Sequence, residues 1–520
     1  MMIYHRGDVS ALADVFENFK TVRTHKLDSL GYVFVPGYAW DTALFHSGVK
    51  LELISDMDIL LCIEKAKRGG VAQCSKRYCV ANNQYAGNLD ESKPEKYIAY
   101  FDFVNLYGKT MTEYLPTGGF KWYNDLTLDA RTVPDDGERG YFFEVDLKYP
   151  VHIHDRHRDL PFCPENRKAP NGKHPKLLAT LYDKERYVIH YRYLKLALAH
   201  GLVIKKVHRI LEFRQEPWLK SFIEMNTELR KNAANEFEKN LFKFVVNSVY
   251  GKTMENVRNH SDIRLLTDWK AIEKLVSKPN FYRLSIFDQN LVAIEMRKTM
   301  VRMFKPVFVG VSVLDISKTF LYKFLYDFLY PSYGEKVKLA YTDTDSLILE
   351  ITGVDMYKDI IGKHTDLFDT SGYDENNEYG IVRMNEKVLG KMKDEFSGEA
   401  VLLFICVRAK SYAIVTGKSV TKHIKGIKRS SVAKQISVSD FENCLFNHEL
   451  ITCTQNCIRS KKHNVYTVCE HKLALNPFDD KRYLIPNSTE TLPWGYYGLV
   501  NAKKRKQDEE SEDYVNKKCK

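Results

Sequence analysis

The chain has 520 residues, too many for a single hydrophobic core, so roughly two to four subdomains are expected. Its formal net charge of +11 suits a polyanionic partner without requiring one. No run of about 18 uncharged apolar residues occurs, and the charged amino terminus does not resemble a signal peptide. The 10 cysteines form no CxxC pair, which argues against a zinc ribbon or a disulfide framework. We therefore expect an intracellular protein without a membrane segment, in the nucleus, cytoplasm or an organelle.

The amino-terminal segment carries two helical patterns. The apolar spacing over residues 1–20 predicts an amphipathic helix, and a second helix is predicted over residues 51–66. The second pattern ends at Arg68-Gly69-Gly70. Two glycines after a basic residue allow the backbone to approach a phosphate closely, although a plain helix C-cap explains them equally well.

A strand is predicted over residues 97–103, and Asp102 is its only charge. A carboxylate inside an apolar strand is unusual, so Asp102 is a candidate metal ligand. Further along, the segment 150–175 contains four histidines and a cysteine: His152, His154, His157, Cys163 and His174. No second ligand pair stands at a spacing usual for zinc, so this segment is better interpreted as a polar loop.

The longest helical pattern runs from Trp218 to Val249. Within it Lys239, Lys243 and Asn247 recur every four residues and therefore share one face. Two neighbouring ammonium groups repel each other unless an anion lies opposite, and a triphosphate or a phosphate backbone would serve. A cationic solvent face is the alternative, but it does not explain the Asn-Ser-x-Tyr-Gly that completes the helix.

An apolar and aromatic helix predicted over residues 303–330 leads to the run LAYTDTDSLI at 339–348. Its β-branched and aromatic residues predict a hairpin that crosses a core. Asp343 and Asp345 would be costly there without cations, whereas a turn at the sheet surface could hold a divalent ion between them. Asp-x-Asp alone is equally consistent with an ordinary polar turn. Beyond it, strands are predicted over residues 400–407 and 411–415.

Three segments in chain order resemble the motifs of family B DNA polymerases. Residues 102–108, DFVNLYG, resemble the first motif, Asp-x-x-Ser-Leu-Tyr-Pro, with Asn105 and Gly108 where Ser and Pro are usual. Residues 243–251 match the second motif, Lys-x-x-x-Asn-Ser-x-Tyr-Gly, at every fixed position. Residues 341–346 match the third, Tyr-x-Asp-Thr-Asp-Ser. Because all three occur in order, chance is a poor explanation.

Other segments resemble the protein-primed branch of that family, which includes phage, linear-plasmid and Polinton or virus-type members. Arg68-Gly69-Gly70 resembles the junction between exonuclease and palm. Residues 391–395, KMKDE, and 410–412, KSY, resemble elements that grip primer and template. Residues 478–483, FDDKRY, resemble the transposon and virus types, and the segment between the first two motifs corresponds to a terminal-protein region.

The resemblance implies an α+β fold: a right-hand polymerase with a palm of antiparallel sheet plus helices, helical fingers and a thumb. The expected divisions are 1–40, a remnant of the 3′–5′ exonuclease domain; 41–215, the first part of the palm with a terminal-protein-region-like insertion; 216–260, the fingers; 261–400, the second part of the palm; 401–500, the thumb; and 501–520, a charged disordered tail. Tyr4 and Asp8 resemble the third exonuclease motif, and the first two are not in the chain. No proofreading is therefore expected, and whether the chain is a fragment or a decayed element stays open.

The implied function is template-directed DNA synthesis by two-metal nucleotidyl transfer to a primer 3′-hydroxyl, in protein-primed replication of a viral or mobile element. The expected catalytic and metal-binding residues are Asp102, Asp343 and Asp345, with two Mg²⁺ ions, or Mn²⁺ in their place. The expected nucleotide-binding residues are Tyr107, Lys231, Lys239, Lys243, Asn247 and Tyr250. The expected DNA-binding residues are Arg68, Gly69, Gly70, Lys391, Lys393, Lys410 and Tyr412.

The expected partners are primer–template DNA, deoxynucleoside triphosphates and a terminal protein as primer, and the protein is expected to act as a monomer. A reverse transcriptase would have adjacent acids, whereas Thr344 separates Asp343 from Asp345. A glycosyltransferase has no use for the lysine-bearing helix. The remaining alternative is a catalytically inactive DNA-binding remnant, against which the retained acids and lysines argue.

Overall fold

A computed structural model describes residues 2–21, 27–461 and 464–499. The predicted tail, 501–520, lies outside the described residues. None of the helices in these ranges is both long enough and apolar enough to cross a membrane.

The described α-helices are α1 (Met2–Thr21), α2 (Val35–Ser47), α3 (Met57–Lys65), α4 (Leu106–Met111), α5 (Tyr191–Ala199), α6 (Lys220–Lys231), α7 (Glu236–Thr253), α8 (Trp269–Val276), α9 (Val307–Lys323), α10 (Tyr330–Tyr333), α11 (Arg429–Gln435) and α12 (Val438–Phe446). A π-helical turn, Phe324–Leu329, joins α9 to α10.

The first described strands are β1 (Ala72–Cys74), β2 (Tyr78–Val80), β3 (Lys96–Phe103), β4 (Leu115–Tyr123), β5 (Arg139–Lys148), β6 (Glu165–Lys168), β7 (Pro175–Leu178), β8 (Lys184–His190), β9 (Val203–Glu216), β10 (Asp262–Leu266), β11 (Phe281–Asp288) and β12 (Leu291–Met296). The later strands are β13 (Val337–Asp343), β14 (Ser346–Thr352), β15 (Phe368–Asp369), β16 (Met392–Asp394), β17 (Val401–Arg408), β18 (Ser411–Thr416), β19 (Val420–Ile424), β20 (Ile451–Lys461), β21 (Asn464–Leu475), β22 (Tyr483–Leu484) and β23 (Thr491–Leu492).

The central sheet has six strands in the order β1-β13-β14-β3-β16-β15, antiparallel except for the last pair. Both of its faces are covered, which explains the nearly continuous apolar run in β14. Leu347 and Leu349 belong to the same buried cluster as Leu321 and Leu325, from α9 and the π-helical turn. Ile348 points to the other face and joins a cluster with Phe404 of β17. The predicted hairpin through a core is therefore confirmed.

A second sheet, β19-β18-β17-β2, packs over that other face, and α11, α12 and the long β20–β21 hairpin pack against the far side of this second sheet. It corresponds to the predicted thumb, with one correction. Residues 78–80 form β2 and pair with β17, although the predicted division assigns them to the palm. Three residues give no periodicity from which this distant partner could be recognised.

Residues 115–216 form a separate sheet in the order β4-β9-β5-β8, accompanied by α5 and the small β6–β7 hairpin. This sheet lies in the chain where the terminal-protein-region-like insertion is predicted. The observed sheet and the predicted insertion therefore occupy the same part of the chain, and the identity and role of the insertion stay a prediction.

The single helix predicted over 218–249 is wrong, because two helices, α6 and α7, meet at residues 232–235. The Asn235 side chain accepts a hydrogen bond from the Glu238 backbone N–H and so begins α7. Lys231 consequently ends α6, outside the face that carries Lys239 and Lys243.

Two predicted boundaries also need correction. The boundary at residue 40 falls inside α2, whose Ala39, Trp40 and Ala43 pack in one cluster with α6, α7 and α9. Residues 262–296 are not palm: they form the sheet β10-β12-β11 with α8 on one face. This unit has its own small core, built on Ile272 and Ile294, so it folds beside the palm sheet and not within it.

Candidate active site

The two-residue turn between β13 and β14 carries Thr344 and Asp345. Thr344 has φ +68°, a left-handed conformation that is strained for a β-branched residue. Its N–H donates to the Val71 carbonyl at 2.8 Å, and the Asp345 N–H donates to the Asp343 carbonyl at 2.8 Å. Gly70 lies directly under this turn, where a Cβ would overlap the Thr344 side chain. Glycine is thus required there to let the turn pack down.

Paired residues form one row across the central sheet at this level. The strand registers place Ala72 opposite Asp343, Asp343 opposite Ser346, Ser346 opposite Asp102, and Asp102 opposite Lys393. Directly paired residues project on the same face of a sheet. The row therefore has an Asp102 end, toward Lys393, and an Asp343 end, toward Ala72.

Asp102 and Asp345 lie together and share an excess of negative charge. The Phe103 N–H donates to the Asp345 carbonyl at 3.0 Å, which ties the turn to the strand that carries Asp102. Burial and then the Asp345 carboxylate raise the pKa of Asp102 to about 8, although Lys243 and Lys393 act to lower it. Burial, with Asp343 adding to it, raises the pKa of Asp345 to about 6. Burial is the largest cause for both carboxylates, and the nearby lysines do not offset it.

This deficit fits divalent cations. The Asp102 Oδ1 atom is buried and has no hydrogen-bond partner among the described residues. In the described ranges no set of three or more acidic, His or Cys side chains is arranged to hold a metal alone. Mg²⁺ is usually bound by one or two carboxylates together with substrate phosphates and water, which two acids satisfy. Glu395, exposed beside them, also raises the Asp102 pKa, and sequence reasoning missed it although it ends the KMKDE segment.

Asp343 differs from the other two acids because it already has a cation. Its Oδ1 lies 3.1 Å from Lys410 Nζ, and its Oδ2 accepts a hydrogen bond from the Tyr341 hydroxyl at 3.4 Å. The same hydroxyl accepts from the Lys410 N–H at 3.2 Å, so the loop between β17 and β18 is fixed to the palm. A direct Lys410–Asp343 pair could not be derived from two distant motifs.

The residues predicted to bind nucleotide are only partly assembled around the acids. Lys243 is exposed on α7 and close enough to influence the Asp102 pKa. The rings of Tyr107 and Tyr250 lie 4.4 Å apart and form a half-buried aromatic surface beside it. Lys239 instead pairs with Glu236 at 2.6 Å. Asn247 is exposed on α7.

Lys231 is the sixth residue predicted to bind nucleotide, and it lies on α6. Its nearest described carboxylate is Glu228, at 3.9 Å. The structure therefore does not bring Lys231 to the acids, because the break between α6 and α7 separates it from the lysine face.

The two departures from the first motif form one structural unit. Asn105 adopts φ +47° as the N-cap of α4, and its Oδ1 accepts a hydrogen bond from the Gly108 N–H at 3.0 Å. A proline at 108 would have no N–H to donate. A side chain at 108 would also overlap the Asn105 amide. Asn105 and Gly108 therefore depend on each other, which explains why both depart from the motif together.

The predicted DNA-binding residues fall into two groups. Lys393, Lys410 and Tyr412 surround the row of acids, with the Tyr412 ring stacked on His423 at 5.5 Å. Gly69 is exposed, whereas Lys391 Nζ donates to the Asp366 carbonyl at the surface.

For Arg68 the predicted contact with DNA is wrong. Its guanidinium is buried, donates to the Val188 carbonyl at 2.7 Å and lies over the Tyr187 ring at 3.6 Å. These contacts hold α3 and β1 against β8. The histidine segment also differs from the predicted polar loop: His154 and His157 are buried, and His157 Nδ1 lies 2.8 Å from the Tyr149 hydroxyl.

The arrangement is that of a right-hand polymerase fold: two acids lie at a hairpin turn, a third lies in the central strand, and a lysine-bearing helix and a thumb sheet adjoin them. Residues 79–275 match a family model described as DNA polymerase type B, organellar and viral. Comparison with curated proteins finds no match in sequence.

Solved structures of Phi29 DNA polymerase share the fold. The ternary complex with primer-template DNA and incoming nucleotide substrates has a TM-score of 0.55 at 14% identity, covering 85% of this chain and 68% of that one. The post-translocation binary complex with primer-template DNA gives 0.52 at 14% identity, with the same coverage. An orthorhombic crystal form gives 0.52 at 14% identity, covering 84% and 67%. They confirm the prediction of a right-hand polymerase fold, and the family match over residues 79–275 agrees with the prediction of a family B DNA polymerase.

Proposed function

We propose that this chain extends a primer 3′-hydroxyl with deoxynucleotides, directed by a template, through two-metal nucleotidyl transfer. One observation carries the proposal: Asp102 and Asp345 converge with too little positive charge, and Lys243 lies beside them. A structural ion pair would supply its own counter-charge, as Lys410 does for Asp343. A site that must receive two metal ions and a triphosphate needs the opposite arrangement.

Asp102 and Asp345 would hold the two ions, Mg²⁺ or Mn²⁺, and Asp343 would be the weaker ligand. When bound, the ions lower the pKa of the primer hydroxyl and neutralise charge on the departing pyrophosphate. The strained turn at Thr344 places Asp343 and Asp345 together at the end of the β13–β14 hairpin. This geometry is fixed before substrate arrives, because Gly70 and the Val71 carbonyl support the turn from below.

Lys243, with Lys239 one turn earlier, would bind the triphosphate. Lys239 must leave Glu236 for this purpose, and that exposed pair is worth little. Tyr107 and Tyr250 would form the floor under the sugar and the new base pair, with Asn247 at its edge. The half-buried Tyr107 ring would exclude a ribose 2′-hydroxyl and so would favour deoxynucleotides.

Lys393, Lys410 and Tyr412 would contact the primer–template backbone near the acids, while Lys391 and Gly69 stand at the margins. Contacts of this type give affinity and register without reading base sequence. The protein would act on DNA as a monomer. A terminal protein would supply the first hydroxyl, with the sheet of residues 115–216 as its docking region, during replication of a viral or mobile element.

Primer extension in Mg²⁺ tests the central proposal. The wild-type protein should extend a primed template, and Asp345→Asn should not, while both bind the DNA with similar affinity. If neither protein extends the primer but both bind DNA, the chain is an inactive DNA-binding remnant and the enzyme proposal is wrong.

Protein priming needs a separate assay. The protein is incubated with a candidate terminal protein, one labelled deoxynucleotide and Mg²⁺. A label that becomes covalently attached to the terminal protein, and is absent with Asp345→Asn, supports protein priming. Extension of DNA primers without any such product contradicts it.

A further inference from the structure

The segment at residues 478–483, FDDKRY, has no role in the mechanism above, yet it reaches the active site. Lys481 Nζ donates to the Ala72 carbonyl at 2.6 Å, and Ala72 pairs with Asp343 in the row of acids. Burial lowers the pKa of the Lys481 ammonium, and the charges of Asp479 and then Asp343 act in the opposite direction. The Lys481 ammonium therefore lies next to the Asp343 end of the row.

A cleft of about 800 Å³ opens from Lys481 to the surface. Three separate parts of the chain line it: the turn of the β6–β7 hairpin, the thumb sheet and the FDDKRY segment. Its charged lining residues are Lys173, His174, Lys176, Arg408, Lys425, Asp479, Asp480 and Lys481. Cations contributed by three distant segments at one cleft indicate an anionic ligand.

The two acids of the cleft already interact with other groups of the protein. Lys176 Nζ lies 2.6 and 2.7 Å from the Asp480 carboxylate oxygens. Asp479 is buried, and its Oδ1 accepts the Lys481 N–H at 2.9 Å.

Three other cationic side chains line the cleft. Lys173, Arg408 and Lys425 have no ion-pair partner within the part of the chain that the structure describes. Lys173 and Lys425 are exposed and Arg408 is half-buried. Their charge is therefore available to a ligand.

The cationic hairpin turn is held rigidly over the cleft. The Lys176–Asp480 pair fixes one strand of the hairpin, and at Gly172 a Cβ would lie 3.0 Å from Asp480 Oδ2. Ala169 and Leu178 pack with Trp494 in a small core beneath the hairpin. Preorganised cations lose less side-chain and loop entropy on binding than mobile ones.

The position of the cleft identifies the strand that it faces. Lys243, the residue proposed to bind the triphosphate, is near Asp102, so the primer terminus would approach from the Asp343 end of the row. We propose that the cleft binds the phosphodiester backbone of the primer strand just upstream of its 3′ end, through Lys173, Arg408 and Lys425. This inference rests on the proposed polymerase function and adds a binding site to it.

Binding, measured without catalysis, tests the site. The triple variant Lys173→Ala/Arg408→Ala/Lys425→Ala is compared with Lys270→Ala/Lys274→Ala/Lys278→Ala, which removes three exposed cations from α8 and the residues after it. Fluorescence anisotropy reports the affinity for primer–template DNA over a range of salt concentrations. We expect the cleft variant to reduce the slope of log Kobs against log salt by about 3, one for each phosphate contact. The α8 variant should leave it unchanged.

A neutral methylphosphonate, placed at successive phosphates of the primer and then of the template, identifies the strand. The wild-type protein should lose affinity for particular primer positions, and the cleft variant should be insensitive to the same positions. Sensitivity only at template positions, or equal sensitivity in both proteins, overturns the proposal. Lys173→Ala/Lys425→Ala, which leaves the half-buried Arg408 intact, gives the same test if the triple variant does not fold.

These results separate the two proposals. If the cleft variant has the reduced salt slope but the wild-type protein never extends a primer, the cleft proposal is upheld and the enzyme proposal is refuted. If the wild-type protein extends the primer normally and the cleft variant has the same salt slope as the wild type, the enzyme proposal is upheld and the cleft proposal is refuted.

Discussion

The two ends of the row of acids are built on opposite principles. At the Asp102 end, Asp102 and Asp345 are half-buried, repel each other and have raised pKa values. At the Asp343 end, Lys410 and Lys481 supply positive charge from the protein itself. The carboxylates at the Asp102 end have no ion-pair partner among the described residues, whereas the Asp343 carboxylate is paired with Lys410. The comparison teaches that three acids in one motif set need not be equivalent, and it supports Asp102 and Asp345 as the main ligands in the proposed metal site.

The largest expected effect compares matched substitutions at the two ends. Asp345→Asn and Asp102→Asn should each reduce the rate of primer extension by about 10²–10³-fold or more, because they remove charge that stabilises the transition state. Asp343→Asn should reduce it roughly tenfold, since Lys410 already offsets that carboxylate. Single-turnover extension in Mg²⁺ measures all three. Equal losses at Asp343 and Asp345 would abolish the distinction between the two ends.

Gly70→Ala should have the next largest effect, on the turn that joins the two ends. The added methyl group overlaps the Thr344 side chain, and overpacking of this kind costs about 1–3 kcal/mol. Urea unfolding measures the loss, and extension rates should fall with it. Thr344→Gly in the same chain removes the overlap and the strain, so the double variant should recover stability. If it does not recover, packing under the turn is not the reason for Gly70.

The metal-free protein should lose stability as the pH rises from 6 to 8. The ordinary pKa of both acids is 3.8, and folding raises it to about 8 for Asp102 and about 6 for Asp345. The folded protein therefore binds more protons than the unfolded chain, and this contribution is present at low pH and lost as the pH passes the folded pKa values. We expect a decrease of about 1–2 kcal/mol in the free energy of unfolding over this range.

Denaturation in EDTA and in Mg²⁺ at several pH values measures this dependence. Mg²⁺ should stabilise the protein more at pH 8 than at pH 6, because the ionised acids bind it. Asp102→Asn should flatten the metal-free profile. A wild-type profile that is flat, or that rises with pH in EDTA, would show that these acids are not short of positive charge.

The smallest effect concerns the start of α4. Asn105→Ala removes the cap on the Gly108 N–H and should cost about 1 kcal/mol. Gly108→Ala should also destabilise, through its overlap with the Asn105 amide. In the double variant Asn105→Ala/Gly108→Ala the overlap is gone, so the two costs should not add. Thermal unfolding of the wild type, the two single variants and the double variant measures these costs. Strict additivity would mean that the two residues act independently.

Much of the site was predictable from local sequence. The apolar alternation around Asp343 and Asp345 and the lone charge in the strand of Asp102 gave the hairpin and the central strand correctly. The three motifs predicted the right-hand fold. The predictions that were wrong concern residues whose positions depend on contacts with distant parts of the chain. Arg68 has the composition of a phosphate-binding residue but is buried against Tyr187, and no local pattern reveals a distant aromatic partner.

The helices of the fingers and the unit at 262–296 illustrate the same limit. Apolar periodicity continues across residues 232–235, and only the side-chain cap of Asn235 breaks the helix there. The strands β10 to β12 are short and half exposed, so nothing in their sequence shows that they pair with one another and not with the palm. Local patterns specify elements, whereas pairing partners are decided by the folded whole.

The bond between Lys481 and the Ala72 carbonyl joins residues 409 positions apart, and the Thr491 hydroxyl binds the Cys74 carbonyl across 417. The strand that lies beside Asp343 is thus held by a segment that is synthesised more than 400 residues later. Contacts of long sequence separation form slowly, and earlier parts of a chain are available to fold first. The edge of the sheet beside Asp343 is therefore completed only after residues 481–491 have been made.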